Sequence, residues 1–393
     1  METRITEIFS RFSASFLKTS SVTLQQLKVI NSIKSCKTEA LGYHKEQCEE
    51  CGHTQLRYNS CNNRHCPNCQ TINKEQWLSA KQYDLLPVKY FHTVFTLPAE
   101  LRTLFLYNKK LLYNLLFKCA WQTLKSFSKD KRNRLQAKTG MIAVLHTWKQ
   151  NLDYHPHLHC IIPAGGMTAN NKWKSSSCNG DFLFPVKALS RVFKGKFMQA
   201  LKQLYRNGEL DFPDVIQKPS EYFFRIREKL FDTDWVVYAK ESFKNEASVF
   251  EYLGRYTHRV AISNHRIKEV RDKTVSFEYT DRANGNVKRL RTLKGEEFIK
   301  RFLRHVLPKG FVKIRSYGFL SARTKTDDLT NLREYFELSP YVKPIKPTLI
   351  EILERVFNIK PCVCPKCGGR LILIDHKARP RASPRRQFAT CFA

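Results

Sequence analysis

Two cysteine pairs, Cys48-x2-Cys51 and Cys66-x2-Cys69, stand 14 residues apart in "CEECGHTQLRYNSCNNRHCPNC" and constrain this chain more than any other feature. Each pair presents two thiolates from a tight turn. Two such turns make the tetrahedral site that zinc prefers, with Zn–S bonds of about 2.3 Å. The spacing therefore predicts a structural zinc on Cys48, Cys51, Cys66 and Cys69. Cys36, His44, Cys61 and His65 crowd the same segment, with His53 beside them, and would supply four more donors for a second zinc. Sequence alone leaves the pairing of ligands open. The 13 cysteines cluster at this spacing instead of scattering, which argues for metal in a reducing compartment and against disulfides.

The rest of the composition narrows the partner. At 393 residues and 42% hydrophobic, the chain buries a proper core and has room for two or three domains. Its 68 Lys plus Arg face 35 Asp plus Glu, a net charge of +33 that runs through the whole chain. Such an excess repels itself unless a polyanion shares the surface, and nucleic acid is the usual one. No stretch approaches the roughly 20 apolar residues of a membrane span. The start, "METRITEIFSRFSASFLK", is charged early and lacks a secretory apolar block. A cytoplasmic protein with no membrane partner is expected.

The middle of the chain reads as a sheet. After a helical pattern at 23–35 and the cysteines, "KYFHTVFTLP" (89–98) has the β-branched and aromatic content of a strand closed by Pro98. Residues 99–128 predict one long amphipathic helix, with Leu101, Leu104, Phe105, Leu111, Leu112, Leu115 and Leu116 near one face. "GMIAVLHTWKQ" (140–150) and "HPHLHCIIPAGG" (155–166) then predict an antiparallel hairpin with a short polar loop.

On that second strand, His155, His157 and His159 alternate and share one face, while Leu158 and Cys160 point to the other. Three imidazoles together repel if protonated. They make sense if neutral and shared by a cation. Imidazole ligands with no cysteine suit an ion with open positions, of the kind that polarises a phosphate. His92 and His146, taken singly, are more simply read as hydrogen-bonded core histidines.

Phosphoryl transfer needs a nucleophile, and "FEYLGRYTHRVAISNHRI" (250–267) offers one. If 245–257 is helical, Tyr252 and Tyr256 lie one turn apart on one face. A tyrosinate attacking a phosphodiester forms a phosphotyrosine and stores the bond energy without water or ATP. Arg255 and Arg259 are close enough to hold a phosphate.

Taken in order, "CKTEALGYH", "YNSCNNRHCPNCQ", "FHTVFTLP", "VLHTW", "HPHLHC", "YLGRYTHRVAISNHRI" and "HVLPKGFVKIRSYGFL" resemble blocks of the rolling-circle transposases of bacterial insertion sequences. The type is the insertion-sequence-ninety-one branch of the HUH endonuclease superfamily, and the resemblance covers most of the chain. It implies an α+β fold: a palm-like central antiparallel sheet flanked by helices, an N-terminal zinc-binding module, and a C-terminal helical tail with a zinc knuckle. His157 and His159 match the metal-binding pair for Mg²⁺ or Mn²⁺. The third ligand stays open between His155, on the same strand, and His146 or Gln150 on the hairpin partner. Tyr256 matches the nucleophile and Tyr252 the second tyrosine that some members retain. The implied activity is single-strand nicking and strand transfer through a 5′-phosphotyrosine on single-stranded transposon ends and target, in a nucleoid-associated and homo-oligomeric protein.

Beyond these blocks, 259–293 alternates like a small antiparallel sheet with a turn at Asn284-Gly285. Residues 295–307 predict a basic-faced helix and "KGFVKIRSYGFL" a strand. Phe311, Tyr317 and Phe319 are candidates for stacking bases, with core packing the alternative. A helix and a Pro-bearing linker follow over 325–348, then a helix at 348–357. Cys364-x2-Cys367 comes next, a knuckle of zinc-ribbon type whose further ligands would be drawn from Cys362, His376 and Cys391. The close, "RPRASPRRQFATCFA", reads as a basic disordered tail. The expected domains are 1–80 (zinc module), 85–325 (nuclease) and 326–393 (helical end). A rolling-circle replication initiator or relaxase would share this chemistry, a tyrosine recombinase would dispense with the metal, and a zinc-stabilised DNA-binding protein would dispense with the tyrosines.

Overall fold

A computed structural model of the chain describes residues 4–243, 248–249, 254, 261–281 and 284–378. The chain divides into two units. One comprises Met1–Trp77, His258–Val306 and Lys346–Ala393, the other Leu78–Thr257 and Leu307–Ile345. The domains expected from sequence are 1–80, 85–325 and 326–393; in the structure residues 4–77 and 346–378 share the first unit, where the strand Leu371–Lys377 pairs with Tyr43–Cys48. The elements below are numbered along the whole chain.

In the first unit, α1 (Arg4–Thr19) and α2 (Leu24–Lys34) bury Ile5, Ile8, Phe9, Phe12, Phe16, Val29, Ile30 and Ile33. Thr23 starts α2 with a capping box, its hydroxyl taking the Gln26 N–H while the Gln26 side chain takes the Thr23 N–H. β1 (Tyr43–Cys48) lies between β2 (Thr54–Tyr58) and β13 (Leu371–Lys377), antiparallel to both. A second sheet sets β10 (Thr274–Asp281) between β9 (Ile267–Val270) and β11 (Val287–Lys294), in the region where alternation predicts one. α8 (Gly295–Arg304) follows. Its Phe298 packs edge-on to Phe277 of β10, and its Phe302 edge-on to Phe9 of α1. α10 (Leu349–Phe357) leads to the last cysteines.

The second unit is built on a five-stranded antiparallel sheet in the order β12-β4-β5-β3-β8. Its strands are β3 (Tyr90–Thr96), β4 (Gly140–Trp148), β5 (Tyr154–Pro163), β8 (Val237–Phe243) and β12 (Ile314–Gly318). β4 and β5 form the hairpin predicted from sequence, with Leu145 opposite Leu158 and His146 opposite His157. A strand's period of two then sorts the side chains by face. Met141, Ala143, Leu145, Leu158, Cys160, Ile162, Phe91 and Phe95 enter one apolar core. That core also holds Leu112 and Leu116 of α5 (Lys109–Lys129) and Phe193 and Phe197 of α6 (Val186–Arg206). The histidines of β4 and β5 take the opposite face.

The single helix expected over 99–128 is broken. α4 (Arg102–Tyr107) and α5 are separated at Asn108, whose φ of −115° and ψ of 38° lie outside the helix region. Its side chain explains the break: the amide donates to the Leu104 and Asp211 carbonyls while its oxygen accepts from the Asp211 N–H. Hydrophobic spacing carries no trace of that long-range pairing. Phe311, Tyr317 and Phe319 serve packing: Phe311 is buried against Tyr113, Tyr317 stacks on Trp121, and Phe319 meets Trp173 edge-on. A hairpin in the same unit pairs β6 (Gly165–Met167) with β7 (Trp173–Ser175). The same unit also holds α7 (Pro219–Asp232) and α9 (Lys325–Tyr335). Among the described residues, no helix is long and apolar enough to cross a membrane.

Candidate functional site

His146, His157 and His159 offer ring nitrogens that all lie within 4.8 Å of one another. The register explains why. His146 and His157 are directly opposed across the β4–β5 pair, and His159 lies two residues farther along the same face. The ring centroids of His146 and His159 are 4.4 Å apart, and Trp148 stacks on His146 at 4.6 Å, fixing its plane. Of the candidates for third member of this group, the structure brings in His146. His155 lies outside it, although it shares the strand face. Gln150 sits in the turn between β4 and β5. Burial, together with His157, Lys149 and Arg102 nearby, pushes the His155 imidazole down to about 3.

The ring nitrogens are oriented by their outer partners. His157 Nδ1 lies 2.7 Å from the His155 carbonyl. A carbonyl only accepts, so Nδ1 carries the proton and the Nε2 lone pair is turned inward. His159 Nδ1 lies 2.9 Å from His92 Nε2 on β3. With His159 donating there, its Nε2 lone pair is also turned inward, and the two Nε2 atoms are 3.1 Å apart. Two lone pairs facing each other repel unless a cation sits beside both. Two nitrogens about 2.1 Å from a common ion would lie roughly 3.0–3.4 Å apart at right-angle to tetrahedral geometry, so the donor set fits a divalent ion. An outer partner on each ligand's second nitrogen is the usual mark of a metal site.

The tyrosines and arginines of the sequence analysis, Tyr252, Tyr256, Arg255 and Arg259, lie outside the described residues, as does the tail from 379 onward.

Among the described residues, eight cysteines form two clusters, and neither is the predicted one. Cys36, Cys61, Cys66 and Cys69 make the first, all buried, with Sγ–Sγ distances of 3.5 Å for Cys36–Cys69 and Cys61–Cys69. Cys36 follows the end of α2, and the other three come from the loop between β2 and α3 (Gln70–Gln82). Backbone N–H groups of Cys61 and Asn63 point at Cys36 Sγ and Cys61 Sγ. Hydrogen bonds from the other three thiols push the Cys36 thiol down, while Cys61 and Cys66 are pushed up. Cys48 and Cys51 instead join Cys364 and Cys367. The expected site on Cys48, Cys51, Cys66 and Cys69 is thus split: β1 and β2 carry the first knuckle away from the second, toward β13.

The second set expected, Cys36, His44, Cys61 and His65, contributes its cysteines only. His44 is paired within β1 opposite Arg57 and His376, and the buried His65 has Nδ1 3.3 Å from Asn63 Oδ1. Cys362 and His376 are not among the Cys364–Cys367 ligands. Of the basic residues around this module, Arg57 pairs with Glu46 and Lys74 with Glu75, while Arg64 is exposed.

Sequence reasoning reads His92 as a hydrogen-bonded core histidine and leaves His146 as an alternative ligand. Only strand order shows that His92, on β3, reaches His159 across the sheet. The strand reading of "KYFHTVFTLP" names no neighbour for it.

Known proteins resemble the chain along most of its length. A family model described as "Transposase zinc-binding domain" matches residues 8–97, and one described as "Putative transposase" matches residues 140–327. The chain is 41% identical over 379 residues to "Putative transposase y4qJ" of Sinorhizobium fredii (strain NBRC 101917 / NGR234), covering 94% of both sequences. It is 27% identical over 356 residues to "Transposase for insertion sequence element IS801" of Pseudomonas savastanoi pv. phaseolicola, covering 88% of this chain and 83% of that one. No solved structure matches the chain.

Proposed function

This chain belongs to the IS91 family of transposases, and we propose that it nicks and rejoins single-stranded DNA at transposon ends and target by tyrosine attack, in a rolling-circle mode. The observation that carries the reading is the convergence of His146, His157 and His159 with the second nitrogens of His157 and His159 already engaged. A palm of the HUH type is the architecture this implies, and the antiparallel sheet with the hairpin at its centre supports it.

In the proposed reaction Tyr256 Oη attacks the phosphorus of a phosphodiester. A bond forms from Oη to phosphorus, the P–O3′ bond breaks, and the 3′-hydroxyl leaves with a proton, the tyrosyl proton passing to solvent. The product is a 5′-phosphotyrosine. Tyr252 performs the same attack on the second strand, or a free 3′-hydroxyl reverses the first, so neither water nor ATP enters. A divalent ion on the three imidazoles would polarise the phosphate and offset charge on the leaving oxygen. The imidazoles hold their place through the His155 carbonyl, His92 and Trp148. Arg255 and Arg259 hold the phosphate, and the net charge of +33 draws the strand in. Imidazole donors suit Mn²⁺ better than Mg²⁺, which prefers oxygen. The cluster of Cys36, Cys61, Cys66 and Cys69 takes zinc for structure.

The test incubates purified protein with single-stranded oligonucleotides from the element's ends and Mn²⁺ or Mg²⁺, and scores denaturation-stable protein–DNA adducts. Wild type should form them, Tyr252→Phe/Tyr256→Phe should not, and chelation should abolish them. Adducts that survive loss of both tyrosines would refute the nucleophiles. Full cleavage under chelation would point to a metal-independent tyrosine recombinase instead.

A further inference from the structure

We infer that the chain carries a second structural zinc site, assembled half from each end: Cys48 and Cys51 from one knuckle, Cys364 and Cys367 from another. The matched zinc-binding region stops at residue 97 and so contains only half of these ligands. The ligand class is a soft divalent cation that accepts four thiolates, and zinc fits it.

The geometry is that of two matched knuckles. Each has two cysteines separated by two residues and followed by a glycine in the left-handed region, Gly52 at φ +66° and Gly368 at φ +83°, which lets the chain turn back behind the sulfurs. Each closes with the same backbone bond, Gly52 N–H to the Cys48 carbonyl at 3.1 Å and Gly368 N–H to the Cys364 carbonyl at 3.0 Å. In the C-terminal knuckle, the N–H groups of Lys366 and Gly369 point at Cys364 Sγ and Cys367 Sγ, each at 3.4 Å. Such donors stabilise thiolates. Across the two knuckles Cys48 Sγ is 3.4 Å from Cys367 Sγ, and Cys51 Sγ is 3.6 Å from Cys364 Sγ. Disulfides would need about 2.05 Å, whereas sulfurs about 2.3 Å from one tetrahedral ion lie roughly 3.8 Å apart.

The surrounding backbone holds the two halves in register independently of the sulfurs. β13 pairs with β1 from Tyr43 opposite Lys377 to Cys48 opposite Leu371. The Glu49 N–H donates to the Arg370 carbonyl at 3.0 Å. At Gly369 a Cβ would come within 2.5 Å of the Glu50 carboxyl carbon, so the two knuckles lie side by side. Cys48, Cys364 and Leu371 form a small buried cluster beneath. The ion would tie positions more than 300 residues apart in sequence, and the N-terminal zinc module would be complete only when the C-terminal knuckle is present.

Cobalt substitution in the full chain tests this, because thiolate-to-cobalt charge-transfer absorption counts cysteine sites and ignores an all-histidine one. Wild type should show two tetrathiolate equivalents. Cys364→Ser/Cys367→Ser should lose half of the band, Cys48→Ser/Cys51→Ser should lose the same half, and the fourfold variant should lose no more than either double. Cys61→Ser/Cys69→Ser should lose the other half. A C-terminal double variant that keeps the full band, or a fourfold variant that loses both halves, would overturn the proposal. Should the variants fail to fold, differential alkylation of the wild-type zinc protein gives the answer without mutation. Cys364 and Cys367 should be protected with Cys48 and Cys51 and become reactive with them on chelation, and full reactivity of Cys364 and Cys367 while zinc is retained would refute the site. Neither readout uses DNA cleavage, so its outcome is separate from that of the proposed reaction.

Discussion

Replacing His92 by Ala tests whether the outer partner of His159 sets metal affinity. His92 and His159 are both buried, their nitrogens are 2.9 Å apart, and their rings are stacked with centroids 5.2 Å apart. Removing an outer partner from a metal ligand typically costs about 10–100-fold in affinity, which is roughly 1.4–2.7 kcal/mol. A separate route gives a similar figure, since a buried polar group deprived of a partner costs about 1–3 kcal/mol. The assay is adduct yield against Mn²⁺ concentration. Half-saturation should rise by about 10–100-fold, while the yield at saturating Mn²⁺ returns close to wild type, because the alanine removes nothing that touches DNA. His92→Gln, whose amide restores a polar partner, should recover part of the shift. A half-saturation unchanged in both variants would refute the reasoning. So would a lowered plateau with no shift, which would place His92 in the chemistry itself.

Three further outcomes follow from named contacts. His146→Ala should raise the Mn²⁺ half-saturation more than His92→Ala does, whereas His155→Ala should leave it near wild type, because the bond that orients His157 comes from the His155 carbonyl, which alanine keeps; equal effects would remove His146 from its place as third ligand. Burial pushes the Lys109 ammonium from 10.5 down to about 8, so the folded state loses that proton before the unfolded one. The penalty is full below pH 8, fades as pH rises toward 10.5, and amounts to at most about 3 kcal/mol. Lys109→Met should therefore stabilise the protein in urea melts at pH 7 and lose that advantage near pH 10.5; a gain independent of pH would show packing, not charge, at work. Burial also pushes the Cys119 thiol up to about 12, while Cys178 is exposed, so iodoacetamide at pH 8 should label Cys178 in the zinc-loaded protein and leave Cys119 unmodified by mass spectrometry.

What could be read without coordinates follows from how local each cause is. The hairpin that carries the histidines is visible because two apolar runs flank a short polar loop, and a strand's period of two puts His155, His157 and His159 on one face whatever the partner strand. Choosing between His155 and His146 needs the register across the hairpin, and the bulge between His146 and Trp148 shifts it in a way that no alternation pattern records. His92 is further removed. It reaches His159 only because β3 lies on the far side of β5 from β4, an order that no local pattern records. The break at Asn108 belongs to the same class, since its cause is Asp211, 103 residues away.

The cysteines carry the point to its limit. Spacing identifies each knuckle, because two thiolates and a turn are a local device, and all three pairs at 48–51, 66–69 and 364–367 are visible as such. Which knuckle meets which is decided by strands. With β1 paired to β2 on one side and β13 on the other, Cys48 at the end of β1 is set opposite Leu371 at the start of β13, and the Cys364–Cys367 turn lies just before that start. Cys66 and Cys69, held beyond β2 at the head of α3, are left to Cys36 and Cys61. Proximity in sequence is a reasonable guide to shared ligation only when no strand intervenes between the knuckles, and here β2 does. If two ions occupy these clusters, the sheet selects the ligand sets before either binds. Zinc then reports the pairing of β1 with β13 instead of creating it, and the order of events is open to measurement: zinc-free protein should retain hydrogen-exchange protection along β1 that a chain ending before Leu371 lacks.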